Sequence, residues 1–150
     1  MRSFRTVIIF LAALMTVAVA QDTEKPAIQV DLNPQKPLHL LVTLRSGAAT
    51  TVTFYEADLP WGIRDSMVYA AMRPSGEAID LIFPTDDPGP ARVSIKPGDT
   101  LVGDIDLQDV IRDLNVTKKS DVLLFWAYRS PKELHIPRWS GGLVVIPQQK

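Results

Sequence analysis

The sequence predicts an all-β protein, an antiparallel β-sandwich of seven to nine strands with one short helix, after an N-terminal signal peptide. Short runs of alternating apolar and polar residues recur along the chain, and turn signals rich in Gly and Pro separate them. Only one stretch after the first 20 residues has convincing helical periodicity. The alternation leaves enough inward residues for two inner faces, which favours a sandwich over a barrel.

The first 20 residues have the layout of a secretory signal peptide. Arg2 and Arg5 give a positive start, residues 7–14 are an unbroken apolar run, and residues 18–20 (Ala-Val-Ala) place small side chains where cleavage is read. We therefore expect cleavage after Ala20 and a secreted or periplasmic protein. The alternative, a retained membrane anchor, is less favoured because a spanning helix needs about 20 apolar residues.

The rest of the chain has the size and composition of one globular domain. We expect residues 21–25 to be a flexible N-terminus and residues 26–150 to form a single β-sandwich domain. The full sequence is 46% hydrophobic and 22% charged, a balance that excludes a disordered or membrane-filling chain. Loss of Arg2 and Arg5 leaves 14 basic against 17 acidic residues, a net charge of −3. This mildly acidic balance argues against binding to nucleic acid or to an anionic membrane.

Cysteine is absent from the sequence. This excludes disulfides, thiolate metal sites, cysteine nucleophiles and a lipid anchor on cysteine. The domain must therefore be stabilised by its hydrophobic core, which is possible at this length. No stable membrane insertion is expected after removal of the signal, because no later apolar run approaches the spanning length.

Nine strand-like runs follow one another after residue 26. They are AIQVDL (27–32), LHLLVTLR (38–45), TTVTFYE (50–56), SMVYAAM (66–72), AIDLIF (78–83), ARVSI (91–95), TLVGDIDL (100–107), DVLLFWAY (121–128) and GGLVVIP (141–147). The run at 121–128 has aliphatic or aromatic residues on both faces of the strand. We therefore expect a central strand buried on both sides, or on one side with an interface on the other. Residues 96–99 (KPGD) are a type II turn candidate because proline and glycine stand at its second and third positions.

One helix and an acidic stretch overlap near residue 106. In DLQDVIRDLN (106–115) the aliphatic residues recur at helical spacing, and Asn115 can end the helix. The surrounding residues 94–114 hold five aspartates. We expect these to face water, with Asp106 capping the helix. A calcium site within residues 99–113 is the alternative, although an EF-hand loop counted from Asp104 would need glycine where Asp109 stands. Asn115 also begins an N-glycosylation sequon, a short match that leaves modification open.

Three segments resemble a known domain family. TTVTFYEADLPWGIRDSMVYAAMRPSGEAIDL, ARVSIKPGDTLVGDIDLQDVIRDL and DVLLFWAYR are similar to the immunoglobulin-like, non-catalytic β domain that accompanies deuterolysin-like and peptidyl-lysine zinc endopeptidases. Residues 96–100 (KPGDT) match its Pro-Gly turn, and residues 104–107 (DIDL) match the segment before its helical turn. The resemblance covers about residues 38–130 and implies an immunoglobulin-like fold with a binding or chaperoning role. The chain has no HExxH motif, so protease activity is not implied.

Catalytic motifs are absent, and the sequence predicts no catalytic residue, no metal ligand and no cofactor. His39 and His135 do not have the spacing of zinc ligands, and there is no G-x-S-x-G or phosphate-binding glycine motif. A pairing of the two histidines in space stays open from sequence. The alternative to a binding protein is therefore a small secreted hydrolase or metal-binding protein that uses His39, His135 and aspartates.

Two loops carry the candidate binding residues. DLPWGIRD (58–65) contains Trp61 and Arg64, and HIPRWSGG (135–142) contains Arg138 and Trp139. Tryptophan and arginine are favoured as contact anchors because they bury a large area with few torsions frozen. The alternative is that each tryptophan plugs an end of the sandwich. The sequence thus predicts an exported, non-catalytic binding or accessory domain, with a protein such as a protease or an envelope component as its partner.

Overall fold

The alternating runs of the sequence form eight β-strands in the computed structural model, which describes residues 27–62, 66–82 and 89–150. The strands are β1 (Ile28–Leu32), β2 (His39–Arg45), β3 (Val52–Tyr55), β4 (Met67–Met72), β5 (Arg92–Ile95), β6 (Thr100–Asp106), β7 (Val122–Arg129) and β8 (Trp139–Ile146). They pair as three antiparallel sheets with the orders β1-β2-β6, β3-β5 and β4-β7-β8. The all-β prediction is confirmed for these residues, and the signal peptide and residues 21–25 lie outside them.

One hydrophobic core joins the inner faces of the three sheets. Successive residues of a strand point to opposite faces, so every second residue of each run is inward. In β2 the inward residues Leu40, Val42 and Leu44 are fully buried. Ile95 of β5 and Leu124 of β7 belong to the same cluster. Sandwich-like packing of this kind is what the period-two pattern predicts.

The turn at residues 96–99 forms as predicted. The N–H of Asp99 donates to the carbonyl of Lys96 at 3.1 Å, and Gly98 has φ +72°. Glycine accepts this left-handed conformation at no steric cost, as the third position of a type II turn requires. The turn joins β5 to β6, and so connects the β3-β5 sheet to the β1-β2-β6 sheet.

The helix predicted over residues 106–115 does not form. Leu107–Asp109 is a single 3₁₀ turn, and the α-helix α1 spans Val116–Lys119, where the prediction placed the end. The backbone between them pairs elsewhere: Ile82 donates to the carbonyl of Val110 at 2.8 Å. Tertiary pairing therefore overrides helical periodicity in this segment.

The strand predicted over residues 78–83 is also wrong for the residues that are described. Ala78 and Leu81 make only isolated bridges, to Met72 and Ile111. The backbone of residues 80–82 pairs with residues 110–112 instead of with a full strand.

One detail of the sequence prediction for residues 106–115 is confirmed: Asp106 accepts from the N–H of Gln108 at 2.8 Å and caps the 3₁₀ turn. Within the described ranges, no helix has both the length and the apolar character to cross a membrane.

Candidate functional site

The outer face of the β4-β7-β8 sheet is apolar across all three strands. Residues opposite each other in the ladder share a face, and the partners of the buried Leu124, Trp126 and Tyr128 point inward with them. The remaining positions point outward. Arg129 and Trp139 stand at one end of this outer face, and its other nine positions are Val68, Ala70, Met72, Leu123, Phe125, Ala127, Gly141, Leu143 and Val145. We call these nine positions the apolar face, and none of them carries a polar side chain.

The large side chains of the apolar face are open to solvent. Val68, Phe125, Leu143 and Val145 are 37–48% exposed. An antiparallel sheet that has one face on the core normally carries polar residues on the other. Contiguous apolar surface of this kind is typical of an interaction site.

The outer face of the β1-β2-β6 sheet provides an internal contrast. Its outward positions are mostly polar: Gln29, Asp31, His39, Leu41, Thr43, Arg45, Thr100, Val102, Asp104 and Asp106. Val102 is 60% exposed there, but it lies among polar neighbours. The same chain thus builds an ordinary solvated face on one sheet and an apolar face on another. The contrast makes the apolar face a specific feature of the β4-β7-β8 sheet.

Charged and aromatic side chains mark the two ends of the apolar face. At one end Arg129 of β7 lies opposite Trp139 of β8, and Trp139 is 56% exposed. Arg138 precedes it and is exposed. At the other end Asp121 is exposed immediately before β7. Of the predicted contact residues, Trp139 therefore lies at one end of the apolar face, whereas the backbone of Arg138 pairs with the buried Ser130.

Trp61 lies elsewhere, packed over strand β6. It is partly buried against the core, and a Cβ built on Gly103 would fall 1.9 Å from its indole ring. Glycine at this inward position of β6 leaves the space that the ring occupies. Trp61 thus packs over the middle of β6, opposite Val42 of β2, and not at the apolar face. Arg64 lies outside the described residues.

The acidic stretch forms a polar cluster around Asp104 on the outer face of the β1-β2-β6 sheet. Its carboxylate accepts from Asn33 Nδ2 at 2.8 Å and from Lys36 Nζ at 3.1 Å, and it lies 2.6 Å from Nδ1 of His39. Desolvation raises the pKa of Asp104, but the hydrogen bonds from Asn33, Lys36 and His39 outweigh it and hold the pKa below its ordinary value. These bonds attach the loop between β1 and β2 to strand β6. The cluster has a structural explanation without a ligand.

Replacing Asp104 with asparagine is expected to change how stability depends on pH. Because the folded-state pKa of Asp104 is lowered, the carboxylate contributes stability above its unfolded pKa, near 3.9, and this contribution is lost as the pH falls. The variant should therefore lose some stability at neutral pH and show a shallower decrease on acidification. Urea unfolding at several pH values measures both effects. Asp31→Asn, on the same outer face, is the control, and equal acid profiles for the two variants would contradict the prediction.

The two histidines do not meet. His39 begins β2, whereas Gly47, just beyond the end of β2, donates to the carbonyl of Leu134 beside His135. The length of β2 separates these ends by about 20 Å. Among the described residues, no group of three His, Asp or Glu side chains has an arrangement that could hold a metal ion. A hydrolase would need its catalytic groups to converge in a concave site. His39 instead contacts Asp104 and Asp106 on the outer face of a sheet.

A small cavity of about 250 Å³ lies between the β4 side of the molecule and α1. It is lined by Arg73, Glu77, Asp80 and Asp113, with Val116 from the helix. Arg73 Nε lies 2.9 Å from Glu77 Oε2, so the cation is already paired with an acid of the cavity. Neither histidine lines it.

The fold and the apolar face together define an all-β protein with a broad, uncovered sheet surface in the part of the chain that is described. No protein-family model matches the chain, and no curated protein matches it. The similarity to the domain of deuterolysin-like endopeptidases stays a prediction from the sequence.

Proposed function

We propose that this protein is an exported, non-catalytic binding domain with an immunoglobulin-like β-sandwich, and that it binds a protein through the apolar face. The observation that supports the proposal is the uninterrupted apolar outer surface of β4, β7 and β8. The mostly polar outer face of the β1-β2-β6 sheet shows that the composition of the chain does not by itself make every outer face apolar.

The chemistry of the apolar face suits a protein partner. Removing apolar surface from water contributes about 25 cal/mol per Å². Phe125 near the centre and Trp139 at one end have the residue types that dominate binding energy at protein interfaces. The face is a sheet surface, whereas sites for small molecules are concave. A partner with a complementary apolar surface would bury these side chains together.

Charge at the ends of the apolar face adds specificity to this proposal. Arg129 lies opposite Trp139, so the partner is expected to present an acidic or hydrogen-bonding group at that end. The proposed signal peptide places the encounter outside the cytoplasm. An accessory role beside a protease or an envelope component is consistent with the family resemblance of the sequence.

A lysine placed on the apolar face is expected to weaken binding. In Val145→Lys, a partner would have to bury an ammonium group without a counterion, so the affinity should fall at least about tenfold, the equivalent of about 1.4 kcal/mol. The folded state should tolerate the change because Val145 is 47% exposed. The measurement is capture of cross-linked proteins from the exported fraction of the source cells by the immobilised protein.

Val102→Lys is the matched control for this experiment. Val102 is also an exposed valine of an edge strand, but it lies on the polar face of the β1-β2-β6 sheet. It should retain whatever the wild-type protein retains. Equal retention by Val145→Lys and the wild type would reject the apolar face as the binding surface.

A further inference from the structure

The outward positions along β7 have a symmetrical order of chemistry. They are Leu123, Phe125, Ala127 and Arg129, and the exposed Asp121, immediately before the strand, continues the same alternation. The aromatic residue is central, an aliphatic residue stands on each side, and opposite charges end the row. When two such rows face each other in opposite directions, the acidic end of each row meets the basic end of the other.

We propose that the apolar face is occupied by a second copy of this chain, packed face to face about a two-fold axis that crosses β7 at Phe125. This inference rests on the proposed function, since it identifies the partner of the same surface. The axis lies in the plane of the interface and runs across the strands. Each strand then faces its own counterpart in the opposite direction, and the contact is isologous.

This axis brings opposite charges together. It places Phe125 against Phe125 of the second copy, and it places Arg129 of each copy against Asp121 of the other. The other in-plane axis, parallel to the strands, would place Arg129 against Arg129 and is disfavoured by like-charge repulsion. The order of charges along β7 therefore selects one of the two arrangements.

Both charged groups are available for this contact. The Oδ1 atom of Asp121 accepts from the N–H of Gln148 at 2.8 Å, which fixes the carboxylate at the start of β7. The ion pairs formed between described residues do not include Arg129. Arg129 is exposed at the end of the strand and can reach an acid on a facing molecule.

The size of the apolar face fits a weak dimer. Three strands about 4.8 Å apart, with eight residues rising about 3.3 Å each, give a footprint of about 27 by 14 Å once side-chain width is included. The accessible area of the projecting side chains is on the order of 500 Å² per copy. The dimer would bury about 1,000 Å² in total, at the small end of specific interfaces. We expect a dissociation constant in the micromolar range.

Sedimentation equilibrium over a concentration series tests the proposal. The protein is purified from the exported fraction in the form that accumulates there, and the wild type should show a monomer–dimer equilibrium. Arg129→Asp places two acids against each other at both ends, and Asp121→Arg places two arginines together. Each variant alone should dissociate at least about tenfold more readily. Arg45→Asp, at an exposed strand end of the other sheet, should dimerise like the wild type.

Mixing the two variants gives the decisive result. In a heterodimer of Asp121→Arg with Arg129→Asp, both ends pair an arginine with an aspartate again. The mixture should therefore dimerise more strongly than either variant alone, and circular dichroism of each variant establishes that it is folded. Monomeric wild-type protein throughout the series would overturn the proposal, as would dimers that neither variant weakens.

The two proposals fail separately. If the wild type is monomeric but captures a different protein that Val145→Lys does not, the apolar face binds a partner other than a second copy. If Val145→Lys captures as the wild type does, and dimerisation is absent, the binding function itself is rejected.

Discussion

Replacing Gly103 with alanine is expected to lower the free energy of unfolding by about 2 kcal/mol, within the usual cost of overpacking a core. The new Cβ would lie 1.9 Å from the Trp61 indole, so the ring has to leave its position. Trp61 is partly buried against the core, and its displacement exposes apolar area to water. Urea unfolding gives the loss of stability, and a red shift in tryptophan emission would report the greater exposure of the ring.

A double-mutant cycle separates this effect from a general weakness of glycine replacements. Trp61→Ala should cost about 3 kcal/mol, as truncation of a core tryptophan does. In that background the cost of Gly103→Ala should almost disappear, because the atom it meets is gone. Additive costs would show that Trp61 does not occupy this position in solution.

Raising the pH above about 10 is expected to destabilise the protein steeply. Burial raises the pKa of Tyr69, and burial together with the charge of Asp58 raises the pKa of Tyr128. Unfolded tyrosines ionise near pH 10, whereas these two remain protonated in the folded state. The unfolded state then binds fewer protons, so stability is complete below pH 10 and falls by about 1.4 kcal/mol per pH unit for each tyrosine. The pair gives a slope of about 2.7 kcal/mol per unit.

Single phenylalanine variants test the assignment of this slope. Tyr69→Phe and Tyr128→Phe should each halve the alkaline loss of stability. Tyr128→Phe also removes the hydrogen bond from its hydroxyl to the carbonyl of Asp58, at a cost of about 1 kcal/mol at neutral pH. Tyr55→Phe leaves both buried phenols in place and should keep the full slope. Urea midpoints measured across the alkaline range decide the result, and an unchanged slope in both variants would contradict it.

Much of the strand architecture could be predicted from the period-two pattern. In β2 the alternation is strict, and Leu40, Val42 and Leu44 are buried as predicted. The pattern failed where the backbone found distant partners. Residues 110–112 have helical spacing, but their backbone pairs with residues 80–82, and no local pattern in the sequence records that contact.

The apolar face was only half visible in the sequence. The run at 121–128 indicated a strand with an interface on its second side, and the outward Leu123 and Phe125 fit that alternative. Trp139, at one end of this face, was predicted as a contact residue because of its residue type. Val68 and Leu143 were missed because each is unremarkable in its own run, and their shared surface depends on the register between strands. The available signal was that valine and leucine occupy both odd and even positions in two successive strands, which indicates that both faces of those strands are apolar.

The pairing of β2 with β6 has a consequence for how the chain folds. His39 lies opposite Asp106, so the central ladder of the first sheet joins residues far apart in sequence. The pairing of β4 with β7 is similarly remote, with Met67 opposite Tyr128. Such ladders close late and slowly, typically in milliseconds to seconds, because the loop entropy is lost before the contacts form. In a chain of this topology only the hairpin of β1 and β2 can form early, and the first and third sheets are completed after most of the sequence is available.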